Sequence, residues 1–295
     1  PTAAHGNIIA NSGESGLGLD GPGDGSTIRF NTIYGNATAG IRVAASSTGN
    51  AILQNSSFGN GGLAIDLAYD GVTANNGTKS GALANSGMDS PVFITVSLSG
   101  ANLTLIGYVG SAPNQAAFAN AQVDVFRALP GAGDGAVPGF GEGQLYLGTL
   151  TADASGNFSG TISVAGLAVG DLVTATATDG TGNTSEFGAN LNVAAGRTIS
   201  GTIFDDVNGN ANLADDGGAT FAGATVRLYL DNGDGTPNAG DSLVATTTSN
   251  ASGAYSFAAL PPATYWVAVD SKTIGAAAYN AAGFVGAAAA DDVWA

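Results

Sequence analysis

The residues best able to do chemistry lie in Phe204-Asp-Asp-Val-Asn-Gly-Asn-Ala-Asn-Leu-Ala-Asp-Asp-Gly217. Side-chain oxygens recur there at Asp206, Asn208, Asn210 and Asn212, then at Asp215 and Asp216. A hard cation such as calcium collects about six to eight oxygens of this kind. They converge only where the backbone turns sharply, which Gly209, Gly217 and Gly218 allow. A second loop, Asp231-Asn-Gly-Asp-Gly-Thr-Pro-Asn-Ala-Gly-Asp241, offers Asp231, Asp234 and Asp241. Both loops are expected to bind Ca2+, the second more weakly. The first departs from the helix–loop–helix calcium loop. Counted from Asp206, Ala211 stands at the turn glycine and Gly217 at the closing glutamate, so Asp215 or Asp216 must close the shell.

Other chemistries find little support. His5 is the only histidine and there is no cysteine, which leaves zinc sites without their usual ligands and excludes disulfides. No serine sits in a nucleophile-elbow setting. The basic candidates Arg29 and Arg42 alternate with core residues and read as solvated. No catalytic residue is assigned, and the chain is expected not to be an enzyme.

The elements that must hold these loops are strands. With 47 Gly, 44% hydrophobic residues and only 10% charged, the 295 residues are too apolar for disorder and too glycine-rich for a helical protein. Among the acids only Glu14, Glu142 and Glu186 are glutamates. A helical surface would use glutamate freely, whereas aspartate beside Gly and Asn belongs to turns. The net charge of −16 argues against nucleic acid and anionic membranes as partners. No stretch approaches the roughly 18 apolar residues of a membrane helix.

Residues 1–91 repeat one grammar. Gly6-Asn-Ile-Ile-Ala-Asn11 leads to Gly16-Leu-Gly-Leu19, Phe30-Asn-Thr-Ile-Tyr-Gly-Asn36 to Gly40-Ile-Arg-Val43, and Gly49-Asn-Ala-Ile-Leu-Gln-Asn55 to Gly62-Leu-Ala-Ile-Asp-Leu67. Asn11, Asn36 and Asn60 recur about every 24 residues, a period at which stacked coils share a core. Asparagines at equivalent turns are expected to stack as a hydrogen-bonded ladder. If earlier coils have been cut away, an isolated fragment should fray from residue 1. This segment resembles the right-handed parallel β-helix repeat of large bacterial surface proteins, with residues 62–73 similar to a closing coil.

Strands separated by turn signals follow over residues 92–195, near 92–98, 102–109, 122–128, 144–151, 157–164, 171–178 and 189–193, as in a β-sandwich. Gly170-Asp-Leu-Val-Thr-Ala-Thr-Ala-Thr-Asp179, Gly182-Asn-Thr-Ser-Glu-Phe187 and Gly141-Glu-Gly-Gln-Leu-Tyr-Leu-Gly148 are similar to bacterial immunoglobulin-like domains that follow such helices. Asp179 and Glu186 could meet around a cation, although a capped turn and a solvated acid are the commoner outcome.

Residues 197–274 contain both acidic loops. Asn250-Ala-Ser-Gly253 echoes Asp153-Ala-Ser-Gly156 and suggests the same hairpin device. With the Gly253, Tyr255, Phe257 spacing, this module resembles the B-type repeat of serine–aspartate repeat surface proteins, which is related to collagen-adhesin B-type domains. The resemblance implies a calcium-binding stalk. Residues 275–295 read as a linker and the start of a next unit.

The expected architecture is therefore all-β: C-terminal coils of a right-handed parallel β-helix followed by two immunoglobulin-like β-sandwich modules. The expected role is a non-catalytic stalk of a secreted or cell-surface bacterial adhesin. Its partners would be neighbouring modules of the same polypeptide, with a glycan or host-surface ligand as the other partner class. The alternative is an accessory, carbohydrate-binding segment of a polysaccharide-degrading β-helix enzyme.

Overall fold

The computed structural model describes residues 6–21, 25–129, 139–206, 210, 212, 214 and 218–274, and the backbone of 292–294. They form sheets throughout, in two compact units, Pro1–Ala195 and Gly196–Ala295.

The first unit begins with strands β1 (Ile8–Ala10), β2 (Leu17–Leu19), β3 (Thr27–Arg29), β4 (Thr32–Tyr34), β5 (Ile41–Val43), β6 (Ala51–Leu53), β7 (Ser56–Phe58) and β8 (Ile65–Leu67). They pair in parallel as β1-β4-β7, β2-β5-β8 and β3-β6. The register is constant: Ile33 lies beside Ile9 and Ser57, and Ile41 beside Leu17 and Ile65. Each strand is too short to bury a face alone. Stacking brings Ile33, Ile41, Val43, Ile52, Ile65 and Leu67 into one apolar interior. Where a turn packs close to a neighbouring coil the chain needs glycine; a Cβ on Gly40 would come within 2.7 Å of the Ala64 carbonyl oxygen and 2.5 Å of Ser57 Oγ.

Asparagine ladders join the coils. Asn7 N and Nδ2 donate to Asn31 Oδ1 (3.0 and 3.1 Å), and Asn31 repeats the pattern on Asn55 (2.9 and 3.0 Å). Asn36 does the same on Asn60 (3.3 and 2.9 Å). The expected alignment of Asn11 with these two is corrected: the residue that donates to Asn36 is Ser12, through its amide (3.1 Å). Asn11 stands one residue out of register and takes a left-handed turn conformation, φ 59°.

After a connection over residues 68–90 come β9 (Pro91–Ser99), β10 (Asn102–Val109), β11 (Gln122–Ala128), β12 (Gly143–Thr151), β13 (Asn157–Ser163), β14 (Leu172–Thr178), β15 (Leu191–Asn192) and β16 (Ala194–Ala195). They make two sheets, β13-β10-β9-β16 and β12-β11-β14-β15. Leu103, Leu105 and Phe158 of the first sheet share one core with Val123, Val125 and Val173 of the second.

The second unit contains β17 (Arg197–Thr202), β18 (Thr225–Leu230), β19 (Ser242–Thr248), β20 (Ala254–Leu260), β21 (Tyr265–Asp270) and β22 (Asp292–Trp294). Its sheets are β17-β20 and β19-β18-β21-β22, which repeat the β10-β13 pair and the β12-β11-β14-β15 order of the first unit. Val226, Leu228, Phe257 and Leu260 form its core. Two expectations change. Asp292–Trp294 is an edge strand paired with β21, so these residues complete this sheet and do not begin another unit. The shared Asp153 and Asn250 turns do use one device. Each side-chain oxygen accepts the amides two and four residues ahead, at 2.7 and 3.0 Å for Asp153 and 2.9 and 3.0 Å for Asn250. Both turns carry the chain from one sheet to the other and close no hairpin within a sheet.

Candidate functional site

The first acidic loop hangs from a closed neck. Beyond β17, Phe204 bridges Thr220, the Asp205 amide donates to the Ala219 carbonyl (3.0 Å), and the Phe221 amide donates to the Ile203 carbonyl (3.0 Å). Above it, Asp206 Oδ1 accepts the Asn210 amide (3.0 Å), Asn210 Oδ1 that of Asn212 (2.8 Å), and Asn212 Oδ1 that of Ala214 (3.2 Å). These three side chains are exposed and bend the loop by successive side-chain turns. Asn208, Asp215 and Asp216 lie outside the described residues.

The second loop joins β18 to β19 and is described in full. Asp241 is buried and ties the neck, accepting the Asn232 amide (3.0 Å) on one oxygen and the Asn238 amide (2.9 Å) on the other. Asp234 accepts from Thr236 N and Oγ1 (2.8 Å each) and from Asn238 Nδ2 (2.6 Å). The Thr236 bonds hold its carboxyl below the usual carboxylate range. Asp231 accepts the Gly235 amide (3.2 Å) and the Trp266 indole N–H (3.3 Å). Oxygen donors of this class suit a hard cation, yet Asp234 and Asp241 are occupied with their own loop and Asp231 with the loop and the Trp266 indole. Among the described residues, no three His, Cys, Asp or Glu side chains gather as a metal cage. A bound calcium would have to draw the carboxylates inward from these turns.

Three acids that sequence reasoning did not place together act elsewhere, on the last coil of the first unit. Its stacked strands leave a row of amides with no further coil to receive them, and Asn85 of the 68–90 connection, Glu142 just before β12 and the 179–188 segment supply acceptors. Glu142, wholly buried, accepts from Asn60 N (3.0 Å) and Nδ2 (2.8 Å) on Oε1, and from the Gly59 amide on Oε2. That is the pattern Asn60 itself offers to Asn36, so Glu142 stands where the next asparagine of the ladder would be. Glu186 accepts the Leu67 amide (2.9 Å) and Thr73 Oγ1 (3.1 Å) on Oε1, and the Thr73 amide (2.7 Å) on Oε2. Asn183 Oδ1 receives the Gly49 amide (2.7 Å), Asn85 Oδ1 that of Asn50 (3.1 Å) and Thr184 Oγ1 that of Ile52 (2.9 Å).

Apolar contact continues across this seam. Phe126 and Phe187 join the interior of the coils, edge to face with ring centroids 5.2 Å apart. Asp124, 1% exposed, accepts from Thr149 Oγ1 (2.5 Å) and Gln122 Nε2 (3.0 Å), while its Oδ2 lies buried with no direct hydrogen bond among the described residues. Burial pushes its carboxyl upward against the pull of Thr149, Gln122 and Gln54.

Asp179 and Glu186 do not meet. Asp179 caps its own turn through Thr181 and Asn183 and pairs with Lys79 (3.1 Å); these bonds outweigh its burial and hold the carboxyl at about 2. Arg42 is also not simply solvated, since it contacts Asp20 (2.7 Å) and Glu14 (3.8 Å) and lies over the Tyr69 ring. A sequence signal for the seam did exist: two of the only three glutamates in an aspartate-rich chain fall within residues 142–186.

Residues 197–291 match the SdrD B-like domain family, about a third of the chain and past the boundary at 274 expected from sequence. Among solved structures, a tetra-tandem repeat from the extending region of a large adhesion protein aligns at 19% identity and TM-score 0.23, covering 61% of this chain and 44% of that one. BcpA, the major pilin subunit of Bacillus cereus, aligns at 17% identity and TM-score 0.21 over 61% of this chain and 58% of its own. A streptococcal ancillary pilin gives 14%, 0.20, 60% and 53%. The chain thus spans less than two thirds of each of these structures, and the low TM-scores leave its fold to its own coordinates. Among the described residues no helix is long and apolar enough to cross a membrane.

Proposed function

We propose that this chain is a non-catalytic structural segment of a bacterial cell-surface adhesin, a stalk whose second unit is stiffened by calcium. The observation that carries the reading is the match of residues 197–291 to the SdrD B-like domain family. On this reading the parallel strands of residues 6–67 are closing coils of a right-handed parallel β-helix, which their constant register and asparagine ladders support. The two sheets of residues 91–195 are an immunoglobulin-like sandwich, supported by their shared core. The repeated strand order of the second unit supports a chain assembled from related modules.

Calcium would be held by Asp206, Asn210 and Asn212 with Asn208, Asp215 and Asp216 in the first loop, and by Asp231, Asp234 and Asp241 in the second. It supplies charge neutralisation and a cross-link between loop oxygens, which would fix each loop against its sheets. Neighbouring modules of the same polypeptide are the first partners of such a stalk.

Catalysis supplies the opposing test. Polyuronates and a glycan array are presented to the purified chain of residues 1–295, and neither turnover nor retention is expected. Turnover that disappears in Arg42→Ala would overturn the structural reading, and selective glycan retention would replace the stalk by a carbohydrate-binding segment.

A further inference from the structure

The seam closes a coil edge with carboxylates. Stacked coils satisfy their amides with neutral oxygens, backbone carbonyls and asparagine Oδ1 atoms, and a neutral group is indifferent to pH in this range. At the seam, Glu142 and Glu186 take over that work from within the protein, both 4% exposed or less, with the buried Asp124 nearby on β11. N–H donors of Gly59 and Asn60 favour the ionised form of Glu142, whereas Glu186 also meets the Thr73 hydroxyl, which can accept from a protonated carboxyl. We propose that Glu186 makes this seam a proton-sensitive latch, held most tightly at mildly acid pH and loosened as that buried carboxyl ionises.

The argument rests on what faces Glu186. The last coil presents Asp66 on β8, a like charge whose carboxyl is itself pushed up by burial and by Asp70. Beyond Asp66 stands Tyr69, a phenol pushed up to about 12. The connection after the coils offers Thr73, a donor without charge. The cation on that connection, Lys79, is engaged by Asp179 of Glu186's own segment. Near Asp124, Tyr146 is the titratable neighbour, and Arg29 acts on Tyr146 from the coil side. Burial therefore dominates at Glu186 and lifts its carboxyl to about 7, with the Thr73 and Leu67 donors pulling the other way.

The sign follows from linkage. A carboxyl whose folded value lies above its unfolded one binds a proton on folding. Its contribution is complete below about 4.5, the unfolded value, and is lost as pH rises through about 7. Asp179 contributes nothing to this window, because its carboxyl at about 2 is ionised throughout.

Selective carboxyl labelling makes the test direct, since the chain has three glutamates. Full-length protein labelled with 13C at glutamate Cδ is titrated from pH 5 to 8, and urea midpoints of the first unit are measured alongside. One Cδ signal should titrate with a midpoint near 7, with the Leu67 and Thr73 amides following the same curve, and should vanish in Glu186→Gln. The urea midpoint should fall from pH 5 to 8 in the wild type and fall less in that variant. Should Glu186→Gln fail to fold, the labelled wild type decides alone. Absence of any glutamate signal titrating between pH 6 and 8, or an unchanged pH slope in a folded Glu186→Gln, overturns the latch.

Discussion

Acids serve opposite ends in the two units. In the first, Glu142, Glu186 and Asp124 are buried and act as fixed acceptors for coil amides and sheet hydroxyls. In the second, Asp206 and Asp234 are exposed and bond within their loops, Asp231 takes the Gly235 amide and the Trp266 indole, and the buried Asp241 ties its own loop through local amides. A buried carboxylate must be fully satisfied or it costs stability. An exposed one carries no such penalty and can exchange a local amide for a cation. Acid composition alone therefore does not locate a metal site; the origin of the donors does. Long-range amides mark a structural acceptor, and local amides mark a loop that a cation can still reorganise.

Truncating the apolar half of the seam should have the largest effect. Phe126→Ala removes a side chain wedged between Phe187, Tyr146 and the coil interior. Such a change costs about 3–5 kcal/mol, read from urea unfolding. If the coils and the two sheets behind them form one cooperative body, probes placed in each should shift together. Separate transitions would break the contrast at its base, by making the seam a contact between independent bodies.

Removing the surrogate rung comes next. Glu142→Ala strands the Gly59 and Asn60 amides in a buried site and leaves Asn60 Nδ2 with Ser57 Oγ, at about 1–3 kcal/mol for each group left unsatisfied. Glu142→Gln keeps one acceptor oxygen and should recover part of the loss. An alanine variant as stable as wild type would mean that water reaches this edge and that the ladder analogy fails.

Much of the architecture was legible because it repeats. Apolar alternation places β10 and β11 at the residues expected from sequence, and the 24-residue grammar anticipates parallel stacking. The rung itself was misjudged at Asn11 because motif similarity tolerates a one-residue offset that hydrogen-bond register does not. The seam was hidden for a different reason. Glu142 and Glu186 reach partners 82 and 119 residues away, and nothing in their local sequence distinguishes a long-range acceptor from a solvated acid. Arg42 was misread likewise, since Asp20 and Tyr69 reach it only once the coils stack. The loops were the reverse case: their residue types were plain, and among the described residues their bonds are as local as Asx turns predict, apart from the Trp266 indole on Asp231.

Amide hydrogen exchange of the full chain, followed with millimolar calcium and with chelator, tests the division between the two kinds of acid most directly. Extracellular modules bind calcium at roughly 10⁻⁴–10⁻³ M, so this range brackets the expected affinity. Calcium should slow exchange at Asn210, Asn212, Asn232, Asp234 and Gly235, and Asp234→Ala should abolish the effect in the second loop alone. Gly59, Asn60, Leu67 and Thr73, already held by carboxylates, should exchange at the same slow rate in both conditions. Unchanged exchange in both acidic loops, or a calcium response at the coil edge in their place, would contradict the account.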